Sequence, residues 1–331
     1  MKIISLKKMS QADLISSDLP GPSVNEWAVG TAYTTDSADI KVSKDEDDND
    51  IAPIKTFRCV LDNTGVYPPD DDGTNWLDLG ATNRWAMFDE YVMSSSASTT
   101  PATSTVASGF TVSINTSKMT DVALFNLGVK NIYVEYSSGG GAYAPLTQAN
   151  FPNQVRLTED YYPKKFYRYT KNYTDYLFGD WVWKRDVIIP IPQSSVSYVR
   201  IWFQNTTIGE YASCGQCVSG ISYEIGKTQY GASSGILSFS RKERNDYFGI
   251  TYLKKGNFAK KMDLDVMITN DKYNKVYSLL ADADGVPAIF QGNNTGSNYE
   301  PFMIYGFTKS FNMSLQYQSH SECDLEIEGL I

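Results

Sequence analysis

The chain of 331 residues has a formal net charge of -9, with 42% hydrophobic, 20% charged and 13% aromatic residues. The apolar share is large enough for packed cores, which excludes a disordered chain, and the length suits two or three domains at roughly 150 residues each. An acidic chain repels nucleic-acid phosphates unless it segregates a basic patch. The densest basic stretch is short and is interpreted as a solvated edge, so no nucleic-acid partner is expected (Lys254, Lys255, Lys260 and Lys261).

The sequence also lacks the features of a membrane protein. It contains no run of about 18 or more apolar residues, so neither a transmembrane helix nor membrane insertion is predicted. Residues 1–8 carry charges but no apolar core of signal-peptide length. We therefore expect a protein that is made and folded in a cytoplasm.

Strand and turn patterns dominate the chain, because β-prone runs alternate with turn residues. The clearest predicted strands are Ile132–Tyr136, Val187–Pro192, Tyr198–Phe203, Phe311–Tyr317 and Cys323–Glu328. The prolines of the second run indicate the edge of a sheet. The last two runs alternate with period 2, which predicts a terminal hairpin with one buried face. Only Asp271–Asp282 has helical spacing, so it is predicted to be one short helix that covers a sheet.

Composition divides this all-β chain into three parts. Residues 1–78 are predicted to form a small β module, and residues 79–228 are long enough for one β-sandwich. Residues 229–331 follow a glycine-rich junction and are predicted to form a β-rich structural domain that contains the short helix.

Groups for catalysis are few. His320 is the only histidine, so a Ser–His–Asp arrangement has a single candidate. Gly231–Gly235 matches the G-x-S-x-G string, but it lacks the strand-to-helix context of a hydrolase and is interpreted as a loop. Cys214 and Cys217 form the only close cysteine pair, and a zinc site needs about four ligands, so buried thiols are favoured. We predict that the protein is not an enzyme and holds neither metal nor cofactor.

Several segments near the start resemble a small chitin-binding-like module. They are Glu26–Tyr33, Phe57–Cys59, Asn63–Gly65, Pro68–Pro69 and Trp76. In that family a Trp, a nearby Tyr, an aromatic-x-Cys strand and a closing Trp form the pattern. The tandem tryptophans that make the sugar platform of chitin binders are missing here, so the resemblance implies the scaffold rather than the sugar site.

The run Trp76–Asp89 resembles a segment that recurs in tailed-phage virion proteins, where it opens a galactose-binding-like sandwich, so the resemblance implies a jelly-roll-like β-sandwich over residues 79–228. The resemblance implies a structural protein of the virion, in the tail tip or baseplate, assembled in the host cytoplasm. Its implied partners are other tail or baseplate proteins, further copies of the same chain and a host surface glycan. Exposed aromatic rings stack on sugars, and the predicted carbohydrate-binding residues are Trp85, Tyr167, Tyr169, Trp181 and Trp183.

Two other functions remain open. The first is a secreted glycan-active enzyme with carbohydrate-binding modules, whose paired carboxylates are defined by spatial separation and not by sequence spacing. The acids in aromatic surroundings, interpreted as surface or loop acids, are Asp89, Glu90, Asp175 and Asp180. The second is a purely structural tail subunit in which the sugar-binding folds are vestigial.

Overall fold

The computed structural model describes residues 1–91, 94–148, 151, 153–160, 181–183, 185–245, 250–292, 300–315 and 317–330. In these ranges the chain is mostly strand, the sheets are curled and mainly antiparallel, and one short α-helix is present, so the predicted all-β fold is confirmed. None of the helices within the described ranges is long and apolar enough to cross a membrane.

The N-terminal third contains short strands and one long one. They are β1 (Lys2–Lys7), β2 (Leu14–Ser17), β3 (Asn25–Glu26), β4 (Ala32–Tyr33), β5 (Ile40–Lys44), β6 (Asp50–Cys59), β7 (Asn63–Thr64) and β8 (Trp76–Ala81). The middle third contains β9 (Ser96–Ala97), β10 (Ser108–Asn115), β11 (Asp121–Gly128), β12 (Asn131–Ser138), β13 (Ala144–Pro145), β14 (Gln154–Arg156), β15 (Thr158–Asp160), β16 (Trp181–Trp183), β17 (Val187–Pro190), β18 (Ser197–Asn205) and β19 (Ser213–Glu224).

The C-terminal third begins with β20 (Lys227–Thr228), β21 (Ser233–Ser238), β22 (Arg241–Asn245), β23 (Ile250–Lys254) and β24 (Phe258–Thr269). It continues with the helix α1 (Tyr273–Asp282) and the strands β25 (Ala288–Gln291), β26 (Met303–Ser314) and β27 (His320–Gly329). Short 3-10 helices lie at Gln11–Asp13, Pro68–Asp70, Ala86–Phe88, Asn270–Lys272 and Glu300–Phe302.

A β-sandwich forms the middle of the molecule. One sheet has the order β13-β12-β18-β10-β2, and it faces the β17-β11-β19 end of a longer sheet across one apolar core. Alternation sets the inward face of each strand, since successive side chains of a strand point to opposite sides. In β18, for example, Val199, Ile201 and Phe203 are buried, whereas Trp202 between them is exposed. The predicted strand Tyr198–Phe203 and the edge position of β17 are both confirmed.

The longer sheet does not end with the sandwich. Strand β1 pairs along one side with β19, where Lys2 lies opposite Glu224, and along the other side with β25, where Lys2 lies opposite Gln291. The sheet therefore continues as β17-β11-β19-β1-β25-β26-β27-β24 from the sandwich into the C-terminal unit. Ile3 and Ile4 of β1 are both buried, because they enter apolar clusters on opposite faces of this sheet.

This pairing corrects the predicted domain boundaries. Strands β1 and β2 belong to the long sheet and to the sandwich, not to a module of residues 1–78. The N-terminal module itself has the sheet β3-β5-β6-β8, which extends to Ala81, with a core that includes Tyr33, Phe57 and Trp76. Strand β20 pairs with β24, so the C-terminal unit begins slightly before the predicted residue 229.

The C-terminal unit has the architecture that its sequence pattern predicts. Strands β26 and β27 pair as the expected antiparallel hairpin, with Met313 opposite Cys323. The predicted helix is present as α1, and its buried residues Val276 and Leu280 contribute to the apolar cluster of this unit. An ion pair between Lys260 of β24 and Asp186 beside β17 adds a polar contact between the unit and the sandwich.

Strand β1 provides a direct test of the continuous sheet. Replacing Ile4 by Ala removes a fully buried side chain between the two units, and we expect the free energy of unfolding to fall by about 2–5 kcal/mol. Urea unfolding followed by circular dichroism measures this change. Ser5→Ala is the matched control, because the neighbouring Ser5 side chain is exposed and should change stability by less than about 0.5 kcal/mol. Equal effects of the two substitutions would contradict the central position of β1.

Candidate functional site

The predicted sugar-binding residue Trp85 lies in the core of the sandwich. Its side chain is 3% exposed and packs edge-on against Phe88, with 5.9 Å between ring centroids. A buried ring has no free face on which a sugar can stack, so Trp85 is a packing residue.

The run around Trp85 closes one end of the sandwich. The Thr82 carbonyl accepts hydrogen bonds from the backbone N–H groups of Trp85 and Ala86 at 2.7 and 2.8 Å. The Asn83 amide pairs with the backbone of Ala97 in both directions at 2.8 Å, and Arg84 Nε donates to the Leu19 carbonyl at 2.9 Å. The side chains of Asn83 and Arg84 therefore tie the run to segments further away along the chain.

Asp89 ends this run in a loop, as one of its two interpretations had it, but its side chain is buried and not at the surface. Burial raises the pKa of its carboxyl group, while hydrogen bonds from Ser94, Tyr91 and Gln216 partly oppose that shift. Ser94 Oγ donates to Asp89 at 2.6 Å, and the backbone N–H of Tyr91 donates at 2.9 Å. These contacts give Asp89 a structural role in the turn.

The other four predicted sugar-binding residues lie wholly or partly outside the described residues. Tyr167 and Tyr169 lie outside the described residues. Trp181 and Trp183 belong to β16, whose backbone pairs with β15, and their side chains also lie outside the described part. Carbohydrate binding by these four residues stays a prediction.

Trp202 is an exposed aromatic residue that the sequence prediction missed. It lies in the middle of β18, between Tyr133 of β12 and Thr111 of β10, on the outer face of the sandwich. Its side chain is 49% exposed although both of its chain neighbours are buried. Nearby, Gln154 Nε2 donates to the Tyr133 hydroxyl at 3.0 Å. An aromatic ring on a sheet, surrounded by amide and hydroxyl groups, is an arrangement that suits sugar stacking.

The candidate groups for hydrolysis do not converge. Ser233 of the G-x-S-x-G string lies on β21, paired opposite Asp263, to which its hydroxyl donates at 3.3 Å. His320 lies opposite Thr269, six residues further along the same strand β24. At about 3.3 Å per residue, six residues span roughly 20 Å, which is far beyond hydrogen-bond reach. The His320 ring instead stacks on Tyr317, with centroids 4.4 Å apart.

The cysteine pair of β19 is fully buried in the sandwich core. Burial raises the pKa of the Cys217 thiol to about 12 and raises that of Cys214 well above its usual value. Both thiols are therefore protonated at neutral pH and poor nucleophiles. Among the described residues, no group of three or more His, Cys, Asp or Glu side chains is placed to hold a metal ion.

A groove of about 500 Å³ crosses the N-terminal module. Its floor is apolar and contains the buried side chains of Val42, Phe57 and Trp76, while Leu77 at its border is half exposed. The polar groups that line it are Lys55, Asp71, Asp72 and Asp78. Lys55 Nζ pairs with Asp78 at 2.7 Å. The groove thus combines an apolar floor with a mainly acidic border.

Asp71 shapes the loop that forms one wall of this groove. Its carboxylate accepts hydrogen bonds from the backbone N–H groups of Gly73, Asn75 and Trp76 at 2.9–3.1 Å. Burial alone would raise the pKa of Asp71, but these bonds and one from the Asn75 side chain outweigh it and lower the pKa. The ionised carboxylate therefore stabilises the folded loop.

Replacing Asp71 by Ala should loosen this wall. We expect the free energy of unfolding at pH 7 to fall by about 1–3 kcal/mol, because several N–H groups lose a charged acceptor. A carboxyl group with a lowered folded pKa contributes stability above its unfolded pKa, near 3.8, and loses the contribution as pH falls through the folded value. The difference in melting temperature between Asp71→Ala and the unaltered chain should therefore shrink on acidification below about pH 4. A difference that stays constant would contradict this role.

The negative charge of the protein is concentrated in the N-terminal module that contains the groove. Residues 25–81 contain 13 Asp and Glu and 4 Lys and Arg, a net charge of -9 that equals the value for the whole chain. The other residues contain 25 of each sign and are neutral together. The N-terminal module is therefore an acidic body attached to an otherwise neutral protein.

A two-stranded ribbon extends from the C-terminal unit and is the second candidate surface. Within the described residues, strands β22 and β23 pair with each other and with no other strand, beyond the point where β21 pairs with β24. The strands approach closely at the base, where a Cβ on Gly256 would lie 2.4 Å from the Phe239 carbonyl oxygen. Tyr252 is 57% and Leu253 79% exposed. Because adjacent residues of a strand point to opposite sides, apolar groups are exposed on both faces of the ribbon.

Comparisons of the chain with family models, with curated proteins and with solved structures find no match.

Proposed function

We propose that the protein is a structural subunit of a tailed-phage particle, in the tail tip or baseplate, and that the ribbon β22–β23 is one of its assembly elements. The observation that carries the proposal is the exposure of Tyr252 and Leu253 on opposite faces of this ribbon. Large apolar side chains exposed on both faces of a ribbon can each be covered by another protein, which would remove their apolar surface from water.

The stability of such a ribbon supports the same role. A two-stranded ribbon is marginally stable in water unless it packs against another element. Here every side chain described at positions 238–243 and 251–255 is exposed, so the ribbon gains little from burial within its own chain. A partner that covers it would supply the missing apolar burial, at roughly 25 cal/mol for each Å² removed from water.

The assignment to a phage particle depends on the sequence resemblance of the run Trp76–Asp89. The contacts of Asn83 and Arg84 fit that resemblance, because they give the polar residues of the run specific tasks in closing the sandwich. An all-β subunit with an extended ribbon is also suited to a particle in which neighbouring copies cover each other's exposed elements.

Removing the apolar groups of the ribbon tests the proposal. Tyr252→Ser with Leu253→Ser should reduce self-association, so that light scattering at rising protein concentration gives a lower mass than for the unaltered chain. Tyr230→Ser with Val286→Ser is the matched control, since these side chains are also exposed but lie outside the ribbon. A chain that stays monomeric at every concentration, and that antibodies do not detect in phage particles, would contradict the proposal.

Carbohydrate binding is a second function, favoured by the exposure of Trp202 on the sandwich face. A glycan array measures it with the full chain. We expect Trp202→Ala to weaken binding about tenfold, which corresponds to the loss of one aromatic stacking contact, and Trp202→Phe to retain most of it. Tyr211→Ala is the control, because Tyr211 is equally exposed outside this face. Unchanged binding by Trp202→Ala, or the absence of binding by the unaltered chain, would remove this function.

A further inference from the structure

We infer that the ribbon β22–β23 of one copy docks in the acidic groove of the N-terminal module of a second copy. The inference rests on the proposed role of the ribbon as an assembly element and names its binding partner. Three features carry it: the charge of the ribbon, the charge of the groove, and the apolar groups that both expose.

The ribbon is basic and carries a cross-strand pair of like charges. Residues 241–255 contain five Lys and Arg and two Asp and Glu. Arg241 of β22 lies directly opposite Lys254 of β23, and both side chains are exposed. Like charges directly opposite each other destabilise a strand pair, so an anionic partner that lies across both cations would relieve a repulsion built into the ribbon.

The groove supplies the complementary charge. Asp72 and Asp78 line it, and they belong to a module that carries the whole net charge of the chain. The Asp78 side chain pairs with Lys55, whereas Asp72 is exposed and accepts a hydrogen bond from the Thr74 backbone N–H at 3.2 Å. Surfaces of opposite charge steer association and fix the orientation of the two partners.

Apolar groups on both sides fit the same contact. Tyr252 shares a ribbon face with Arg241 and Lys254, since residues two apart in a strand point to the same side. The groove presents the half-exposed Leu77 and Pro69 beside its acidic border. The exposed Tyr252 has Lys254 two residues along its strand, Glu243 directly opposite and Arg241 diagonally opposite, and this face meets an apolar groove lined by carboxylates.

A contact of this kind joins two different surfaces of the chain. It is heterologous, because the ribbon of each copy binds the module of the next, and it generates a ring if the rotation closes and a filament if it does not. An open assembly keeps one free groove at one end and one free ribbon at the other, so it grows with protein concentration.

A mixing experiment with two charge-reversed proteins tests the inference. The first carries Arg241→Glu with Lys254→Glu, and the second carries Asp72→Lys with Asp78→Lys. Each alone brings like charges together and should self-associate about tenfold or more weakly than the unaltered chain in sedimentation velocity. Mixed in equal amounts, they restore both opposite-charge contacts, and the mass should return toward that of the unaltered chain.

A second pair of variants separates the groove from the overall charge of the module. Asp36→Lys with Asp47→Lys changes the module charge by the same amount at exposed positions that do not line the groove, and should leave self-association largely intact. Asp72→Asn with Asp78→Asn removes both charges but keeps an acceptor oxygen at each position. It should weaken self-association less than Asp72→Lys with Asp78→Lys. Circular dichroism of each variant establishes that it is folded.

The outcomes distinguish the inference from the proposed function. If the ribbon reversal abolishes self-association but the groove reversal does not, the ribbon still assembles the protein and docking in the groove is overturned. A mixture that remains dissociated, or control variants that weaken association as much as the groove variants, also overturns it. If the ribbon reversal leaves the mass of the unaltered oligomer unchanged, the proposed function of the ribbon itself fails.

Discussion

The pairing of strand β1 on both of its sides is the constraint on which the rest of the structure depends. Its partners β19 and β25 are more than 200 residues away along the chain, and each would otherwise be the exposed edge of a separate sheet. Because Ile3 and Ile4 enter clusters on opposite faces, the strand joins both the backbone ladders and the apolar cores of the two units. The sandwich and the C-terminal unit therefore share one sheet, and elements attached at its ends are held in a fixed relation to each other.

The run Trp76–Asp89 has a comparable structural task on a smaller scale. Trp85 and Met87 fill the core, while Asn83 and Arg84 bind the backbones of Ala97 and Leu19. Such residues are needed for folding whatever the protein binds. A resemblance centred on this run therefore concerns the fold more directly than sugar binding. A ligand has to bind to exposed side chains outside the core, such as Trp202.

Local patterns predicted much of the fold, and long-range contacts account for the errors. The hairpin β26–β27 and the helix α1 were predictable because their apolar residues recur with the periods of a strand and of a helix within a short stretch of sequence. The position of β1 was not, since Ile3 and Ile4 are buried in succession by partners that no local pattern identifies. The exposure of Trp85 and Trp202 was not predictable from local sequence either. Each has apolar neighbours in the chain, but tertiary packing buries Trp85 and leaves Trp202 exposed. The charge of the module was detectable, because counting acids and bases by region finds it without any structure.

The net charge of the chain does not show that its acidic and basic residues are segregated, and this segregation affects how two copies interact. The chain has a net charge of -9, and its acidic module and basic ribbon attract each other, whereas any approach of module to module or ribbon to ribbon is repulsive. Repulsion between like parts disfavours symmetric contacts and so leaves the head-to-tail arrangement. The cations of the ribbon also protect its open edges from pairing with other strands while the chain is alone. In the inferred docking, the same charges therefore repel like parts of two copies and orient the ribbon of one copy toward the groove of the other.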